Sequence, residues 1–288
     1  MTMSSDPLKS GNVYFNDPDS GAEMVRLLDQ DRLITQGMGG LLPERSNDFS
    51  GIQRVLDVAC GPGGWAQEVA FAHPETEVIG FDISPAMIDY ARMQAQVQGL
   101  NNASFLVMNL LKPLDFPDSS FDLVNARFIN FLPAAAWPQL VQEFRRITGP
   151  GGFIRLTESE WWYFTTSPAL ENLNAMIIRA LKIQGSFSQT GRFTGILPML
   201  GRLLRDAGCV NIQLVPHVID FSVGTKAYQG FRKDAVAVFK LFQPFIIRMG
   251  VATQEEMDPL YEQMLLEMQQ DDFRGLMLPL TAWGEKAT

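Results

Sequence analysis

The chain has 288 residues, of which 46% are apolar and 19% charged, enough to bury a sizeable core and too apolar for a disordered chain. A net charge of −9 argues against a protein that grips a nucleic-acid backbone, and the two cysteines, Cys60 and Cys209, supply neither a disulfide framework nor a paired-cysteine metal site. The first ten residues are polar and no run of about 18 apolar residues occurs, so a cytoplasmic protein with no membrane span is expected.

Residues 1–19 read as an irregular arm carrying Tyr14 and Phe15. Ser20-Gly21-Ala22-Glu23 has capping-box spacing and opens a helix with Met24, Leu27 and Leu28 on its apolar face, ended by Gly37, Gly39 and Gly40. Strand and helix signals then alternate. Strands are predicted at 52–58, 77–81, 104–108, 121–125 and 151–157, and helices at 64–73, 85–98 and 133–147. Ser84-Pro85 supplies an N-cap followed by proline at the first helical position. Such alternation indicates an α/β fold, a parallel sheet with helices on both faces.

Beyond the fifth strand the rhythm changes. Helices are predicted at 168–184, 195–207, 226–249 and 253–270, and strands at 210–221 and 273–283. Pro244 is set to kink the third of these helices, and Thr253-Gln254-Glu255-Glu256 again has capping-box spacing. Residues 225–250 carry five Lys/Arg and one acid, whereas 253–272 carry seven acids and no Lys/Arg, which predicts an antiparallel pair with complementary faces.

The glycine-rich turn Gly61-Pro62-Gly63-Gly64 after the first strand lets a ligand approach the backbone. Asp82, about 20 residues on, stands where an acid binds ribose hydroxyls. Gly61-x-Gly63-x-x-Ala66 also satisfies a loose dinucleotide fingerprint, so the turn alone leaves the ligand open. Asp57, just ahead of the glycines, would repel a pyrophosphate and attract an ammonium group. Asn109 follows the third strand, where an amide can hydrogen-bond an adenine edge.

Four segments together resemble the class I S-adenosylmethionine-dependent methyltransferases: Val55-Leu56-Asp57-Val58-Ala59-Cys60-Gly61-Pro62-Gly63, Gly80-Phe81-Asp82-Ile83-Ser84-Pro85, residues 113–124, and Gly149-Pro150-Gly151-Gly152. The resemblance implies a Rossmann-like doubly wound seven-stranded sheet, order 3-2-1-4-5-7-6 with strand 7 antiparallel, plus a helical lid. The strands at 210–221 and 273–283 would be the sixth and seventh. The implied division is an arm and helix over 1–50, a cofactor-binding core over 51–160, a lid insertion over 161–193, and the rest of the core over 194–288 with a helical insertion at 225–270.

By position, the resemblance assigns Asp57, Ala59, Gly61 and Gly63 to the methionine end of S-adenosylmethionine and Asp82 to its ribose. Ile83 and Met87 would pack near the adenine, with Asn109, where the family often has aspartate, and Leu110 beside it. Asn125 and Arg127 would face the transferring methyl group or the acceptor. The product would be S-adenosylhomocysteine.

No nucleophilic side chain or metal is obligatory, because the sulfonium supplies its own electrophile. Glu158 and Glu160, after the fifth strand, are candidates for taking a proton or stabilising a cation. His217 and His73 read as packing residues. Among the aromatic residues, Tyr14, Phe128, Phe131, Trp161 and Tyr163 are candidates for an apolar acceptor pocket. No GxSxG, HExxH or phosphate-loop motif occurs, and Asn125-Ala126-Arg127-Phe128 replaces the Asn/Asp-Pro-Pro-Tyr of amino-methylating DNA enzymes. The expected activity is therefore methyl transfer to O, N or C of a small, largely apolar metabolite. A homo-oligomer is compatible with the sequence. The competing readings are a non-catalytic S-adenosylmethionine-binding accessory protein and a nucleotide-dependent oxidoreductase.

Overall fold

The computed structural model describes residues 20–160 and 163–287. Helix α1 (Gly21–Met38) leads through a short 3-10 turn at Pro43–Arg45 into β1 (Arg54–Val58), α2 (Gly64–Ala72), β2 (Glu77–Asp82), α3 (Pro85–Gln98), β3 (Ala103–Val107), β4 (Phe121–Arg127), α4 (Trp137–Ile147) and β5 (Thr148–Glu158). There follow β6 (Tyr163–Thr165), α5 (Pro168–Gln184), α6 (Leu197–Asp206), β7 (Cys209–Pro216), β8 (Ile219–Asp220), α7 (Tyr228–Arg248), α8 (Gln254–Glu267), β9 (Gly275–Met277) and β10 (Leu280–Lys286).

Seven of these strands form one sheet in the order β3-β2-β1-β4-β5-β10-β7. Pairings from β3 to β5 are parallel, and β10 runs antiparallel to both β5 and β7. Counting only these strands, the order is the expected 3-2-1-4-5-7-6. Side chains alternate across the sheet. Leu56, Ile79 and Val124 join Phe144 of α4 and Leu200 of α6 in one apolar cluster, whereas Val55, Val78 and Leu123 join Trp65 of α2 and Ile88 of α3 in another. Helices thus cover both faces. A third cluster, away from the main sheet, gathers Ile34 of α1, Leu173 and Ile177 of α5, Phe239 and Phe242 of α7 and Met264 of α8.

Three features depart from the sequence-based expectations. The strand predicted at 210–221 is two strands in two sheets, and so is the one predicted at 273–283. Strands β7 and β10 belong to the large sheet, while β8 and β9 join β6 in a small sheet of order β6-β9-β8. The breaks fall at Pro216-His217-Val218 and Leu278-Pro279, facing each other: Leu280 pairs with Pro216, Ile219 pairs with Met277, and the His217 N–H donates to the Pro279 carbonyl at 2.8 Å. Each proline removes a ladder donor, so both chains leave the large sheet together. Helix α1 starts where expected, but no side chain caps it at Ser20. Helix α7 contains Pro244 within its length, and α8 packs on α5 as well as α7, with an ion pair between Lys240 and Asp258 at 3.7 Å linking α7 to α8.

Other local signals act as read. The Ser84 hydroxyl caps α3 by accepting from the Met87 N–H at 3.1 Å, and Thr253 and Glu256 form both bonds of a capping box. Among the described residues no helix is long and apolar enough to cross a membrane.

Gly63 is required by packing. Its φ is +80°, and a Cβ there would lie 2.7 Å from the Phe105 ring and 3.1 Å from the Ala91 methyl. Gly63→Ala should therefore lower the unfolding free energy by about 1–3 kcal/mol, measured by urea denaturation of the ligand-free protein. Unchanged stability would contradict this assignment.

Candidate active site

At the carboxyl end of β1 the chain turns through two left-handed residues, Ala59 at φ +51° and Gly61 at φ +53°. Two bonds pin the turn to the end of β2: the Cys60 N–H donates to the Phe81 carbonyl at 2.9 Å, and the Gly61 N–H to Asp82 Oδ2 at 3.0 Å. A Cβ on Gly61 would find only Leu27 of α1, 3.7 Å away. Gly61 thus borders open space, whereas Gly63 is closed in.

The Asp82 carboxylate also accepts from the Ser84 N–H at 3.0 Å through Oδ1. Each oxygen thus accepts from a backbone donor, which fixes the carboxylate between the glycine turn and the start of α3. Asn109 stands beyond β3, where its Oδ1 accepts from the Leu111 N–H at 2.9 Å.

Asp57 is 4% exposed, and burial is the main reason its pKa is pushed up to about 7. The positive charge of Arg127, a hydrogen bond from Asn125 and the charge of Arg155 act in the opposite direction, and the nearby Asp31 adds to the rise. Arg127 is held from α1: it donates to the Asp31 carboxylate and, at 3.0 Å, to the Thr35 hydroxyl. At the exit of β4, Phe128 is a second non-glycine residue in the left-handed region, at φ +55°, and its N–H donates to the Thr157 carbonyl at 2.9 Å. Residues held in such sparsely populated conformations concentrate at functional sites.

These strand ends face α1, α5 and α7 across one cavity of about 1670 Å³, counting the solvent at its mouth. It is bordered by Asp57, Ala59, Gly61, Asp82, Ile83, Met87, Asn109 and Leu110 and also by Arg127, Phe128, Phe131 and Tyr163, so most of the predicted residues meet there. Asn125 lies behind Asp57, fully buried, and Gly63 lies beneath the turn. Tyr14 and Trp161 fall outside the described residues.

The two glutamates do not border the cavity. Glu158 is fully buried, its Oε1 accepting from the Ile129 N–H at 2.7 Å, and burial pushes its pKa well above the ordinary value. Glu160 accepts from the Thr194 hydroxyl at 2.7 Å and from the backbone N–H groups of Gly195 at 2.8 Å and Leu197 at 3.1 Å. It thereby fastens the start of α6. His217 packs against Thr281, its Nε2 lying 3.1 Å from that hydroxyl.

Several cavity residues were not singled out from sequence. Arg26, Gln30 and Asp31 come from α1, and Ile177 and Phe239 from α5 and α7. Arg26 pairs with Glu23 at 2.8 Å and with Asp234 of α7 at 2.9 Å, and Asp234 also accepts from the Tyr163 hydroxyl at 2.6 Å. The available signal was spacing: Leu27, Asp31 and Ile34 share a helical face in which one member is charged.

A methyltransferase-domain family profile matches residues 55–152. The demethylmenaquinone methyltransferase of Geobacillus kaustophilus is 27% identical over 175 residues, covering 57% of this chain and 74% of that one. The aklanonic acid methyltransferase of Streptomyces sp. (strain C5) is 37% identical over 128 residues, 42% of this chain and 54% of its own length. Among solved structures, the Haemonchus contortus phosphoethanolamine N-methyltransferase 2, in complex with S-adenosylhomocysteine, superposes with a TM-score of 0.56 at 16% identity, covering 96% of this chain and 60% of that chain. The YcgJ protein of Bacillus subtilis gives 0.51 at 17% identity, over 88% of this chain and 99% of that one. These two similarities show the fold, and the profile lies on the stretch that builds the glycine turn, Asp82 and the start of β5. Residues 55–152 thus match a methyltransferase domain, and the whole chain is similar in fold to solved methyltransferase structures.

Proposed function

We propose that the protein transfers a methyl group from S-adenosylmethionine to a small, largely apolar acceptor that carries no phosphate. The observation that carries the cofactor half is the placement of two carboxylates, Asp57 and Asp82, on either side of the glycine turn and on the same cavity. Asp57 offers a buried anion to the ammonium group of the amino-acid end. Asp82, which borders the cavity, offers its carboxylate to two ribose hydroxyls, and Ile83, Met87 and Leu110 supply apolar surface for an adenine, with Asn109 at its edge. When bound, S-adenosylmethionine supplies a methyl group already activated on a sulfonium.

The protein then has to orient the acceptor and exclude water. Ile34, Ile177, Val238 and Phe239 of the third apolar cluster, with Phe128 and Phe131 packed against it, make an apolar wall of the cavity. Among the described cavity residues the cations are Arg26 and Arg127, and each is already paired with carboxylates. Asp57 and Asp82 add further negative charge, so a phosphate group would meet net repulsion. The relatives named for demethylmenaquinone and aklanonic acid fit an organic acceptor of this kind. Glu158 and Glu160 are assigned structural roles rather than proton transfer, since neither borders the cavity and each accepts backbone N–H bonds. In this proposal α1, α5 and α7 act as the lid that closes water out.

Calorimetry should show S-adenosylhomocysteine binding at one site per chain and no comparable binding of NAD(H). Asp82→Ala should weaken S-adenosylhomocysteine about tenfold or more, because charge-assisted hydrogen bonds are lost. Preference for NAD(H), or an unaltered affinity in the variant, would contradict the cofactor assignment. On the acceptor found by turnover across a panel of phenols, enols and quinols, Phe131→Ala should raise KM about five- to thirtyfold, the equivalent of about 1–2 kcal/mol of lost apolar burial, while S-adenosylhomocysteine affinity stays the same. An unchanged acceptor KM would remove Phe131 from the acceptor wall.

A further inference from the structure

Asp57, Asn125 and Arg155 occupy matched positions on three adjacent strands. Asp57 pairs in register with Asn125, and Asn125 with Arg155. The three side chains therefore stand in one row on one face of the sheet. All are buried, at 4%, 0% and 1% exposure. Asn125 Nδ2 donates to Asp57 Oδ1 at 2.8 Å, and Arg155 Nη1 donates to Asn125 Oδ1 at 2.9 Å. At the far end, Arg155 is ion-paired with the fully buried Glu44 carboxylate, on the turn between α1 and β1.

The row has a direction imposed by chemistry. A guanidinium only donates, so the Asn125 oxygen must face Arg155. Its amino group is then turned toward Asp57, and an amino group can be accepted there only by an oxygen lone pair. We propose that Arg155, acting through Asn125, is a positioning residue that keeps Asp57 an accepting carboxylate toward the cavity and so sets how well the site holds the cationic amino-acid end of the cofactor. This rests on the cofactor assignment above. Without Arg155 the amide can rotate and offer its oxygen, which favours the protonated acid.

The groups facing Asp57 are Arg127 and Asn125 from β4, Arg155 from β5, Asp31 from α1 and the neighbouring Cys60 in the turn. Their net effect leaves its pKa at about 7, so the ionised form gains as pH rises through neutrality. Binding that needs the carboxylate should therefore strengthen from pH 6 to pH 8. Loss of Arg155 raises the Asp57 pKa and moves that rise to higher pH. Loss of the Glu44 charge leaves the positive charge of Arg155 less compensated and moves it the other way.

The test is S-adenosylhomocysteine affinity from pH 6 to 8.5, with 5′-methylthioadenosine, which lacks the amino-acid end, as the control ligand. The wild-type protein is compared with Glu44→Gln and with the double variant Arg155→Met/Glu44→Gln, which removes both buried charges and strands neither. The double variant should move the binding midpoint up by about one pH unit and weaken S-adenosylhomocysteine about fivefold at pH 7, with 5′-methylthioadenosine affinity unchanged. Glu44→Gln alone should shift the midpoint down. Equal losses for both ligands with no shift in midpoint, or shifts of the same sign in both variants, would overturn the proposal. Absence of S-adenosylhomocysteine binding in the wild-type protein would instead overturn the cofactor assignment itself. If the double variant does not fold, the direction of the Glu44→Gln shift alone decides.

Discussion

A single buried charge at the end of the central strand organises this molecule. Asp57 is nearly inaccessible to solvent, and an isolated carboxylate in that position would be strongly disfavoured. Three compensations surround it: the Asn125 amide beside it, Arg127 fixed from α1, and Arg155 farther along the same row. Two come from β4 and one from β5, and Arg127 is held in turn by α1, so the parallel pairing of β1, β4 and β5 and the docking of α1 together favour the ionised form against burial. The cavity in front of Asp57 is where the cofactor is placed in this proposal.

The remainder of the cavity follows from how the chain closes over the strand ends. The large sheet provides an acidic turn, while α1, α5, α7 and the small sheet contribute an apolar cluster of their own. Where the two meet, polar groups bind each other rather than face open space: Arg26 with Glu23 and Asp234, Arg127 with Asp31. The cavity is thus bordered both by carboxylates and by an apolar cluster, a combination suited to the cationic methyl donor and organic acceptor proposed. The strained backbone at Ala59 and Phe128 lies at the two strand exits that border the cavity.

Much of this was legible in the sequence because it is local. Period-two and helical apolar patterns located the elements of the main sheet, and Asp57, Asp82 and the Ser84 cap declare themselves by spacing within a few residues of a turn. What escaped was non-local. The sheet switch at Pro216–Val218 and Leu278–Pro279 leaves apolar runs that look continuous, since a strand changing partners keeps its β pattern. The bonds of Glu158 and Glu160 to Ile129 and Gly195 join residues far apart in sequence, so they are invisible to local patterns. The Phe105 ring against Gly63 is likewise a contact between distant segments. Arg26, Gln30 and Asp31 resemble ordinary surface charges of an amphipathic helix until α1 is docked.

In the proposed arrangement one cavity holds the cofactor with its amino-acid end against Asp57 and its ribose against Asp82. A crystal structure of the protein with S-adenosylhomocysteine is the decisive measurement. Density is expected with the ammonium group within hydrogen-bonding reach of Asp57 and both ribose hydroxyls on Asp82, with the sulfur directed toward Arg127 and Phe128. Density in the reverse orientation, or a ligand bound away from the glycine turn, would contradict it.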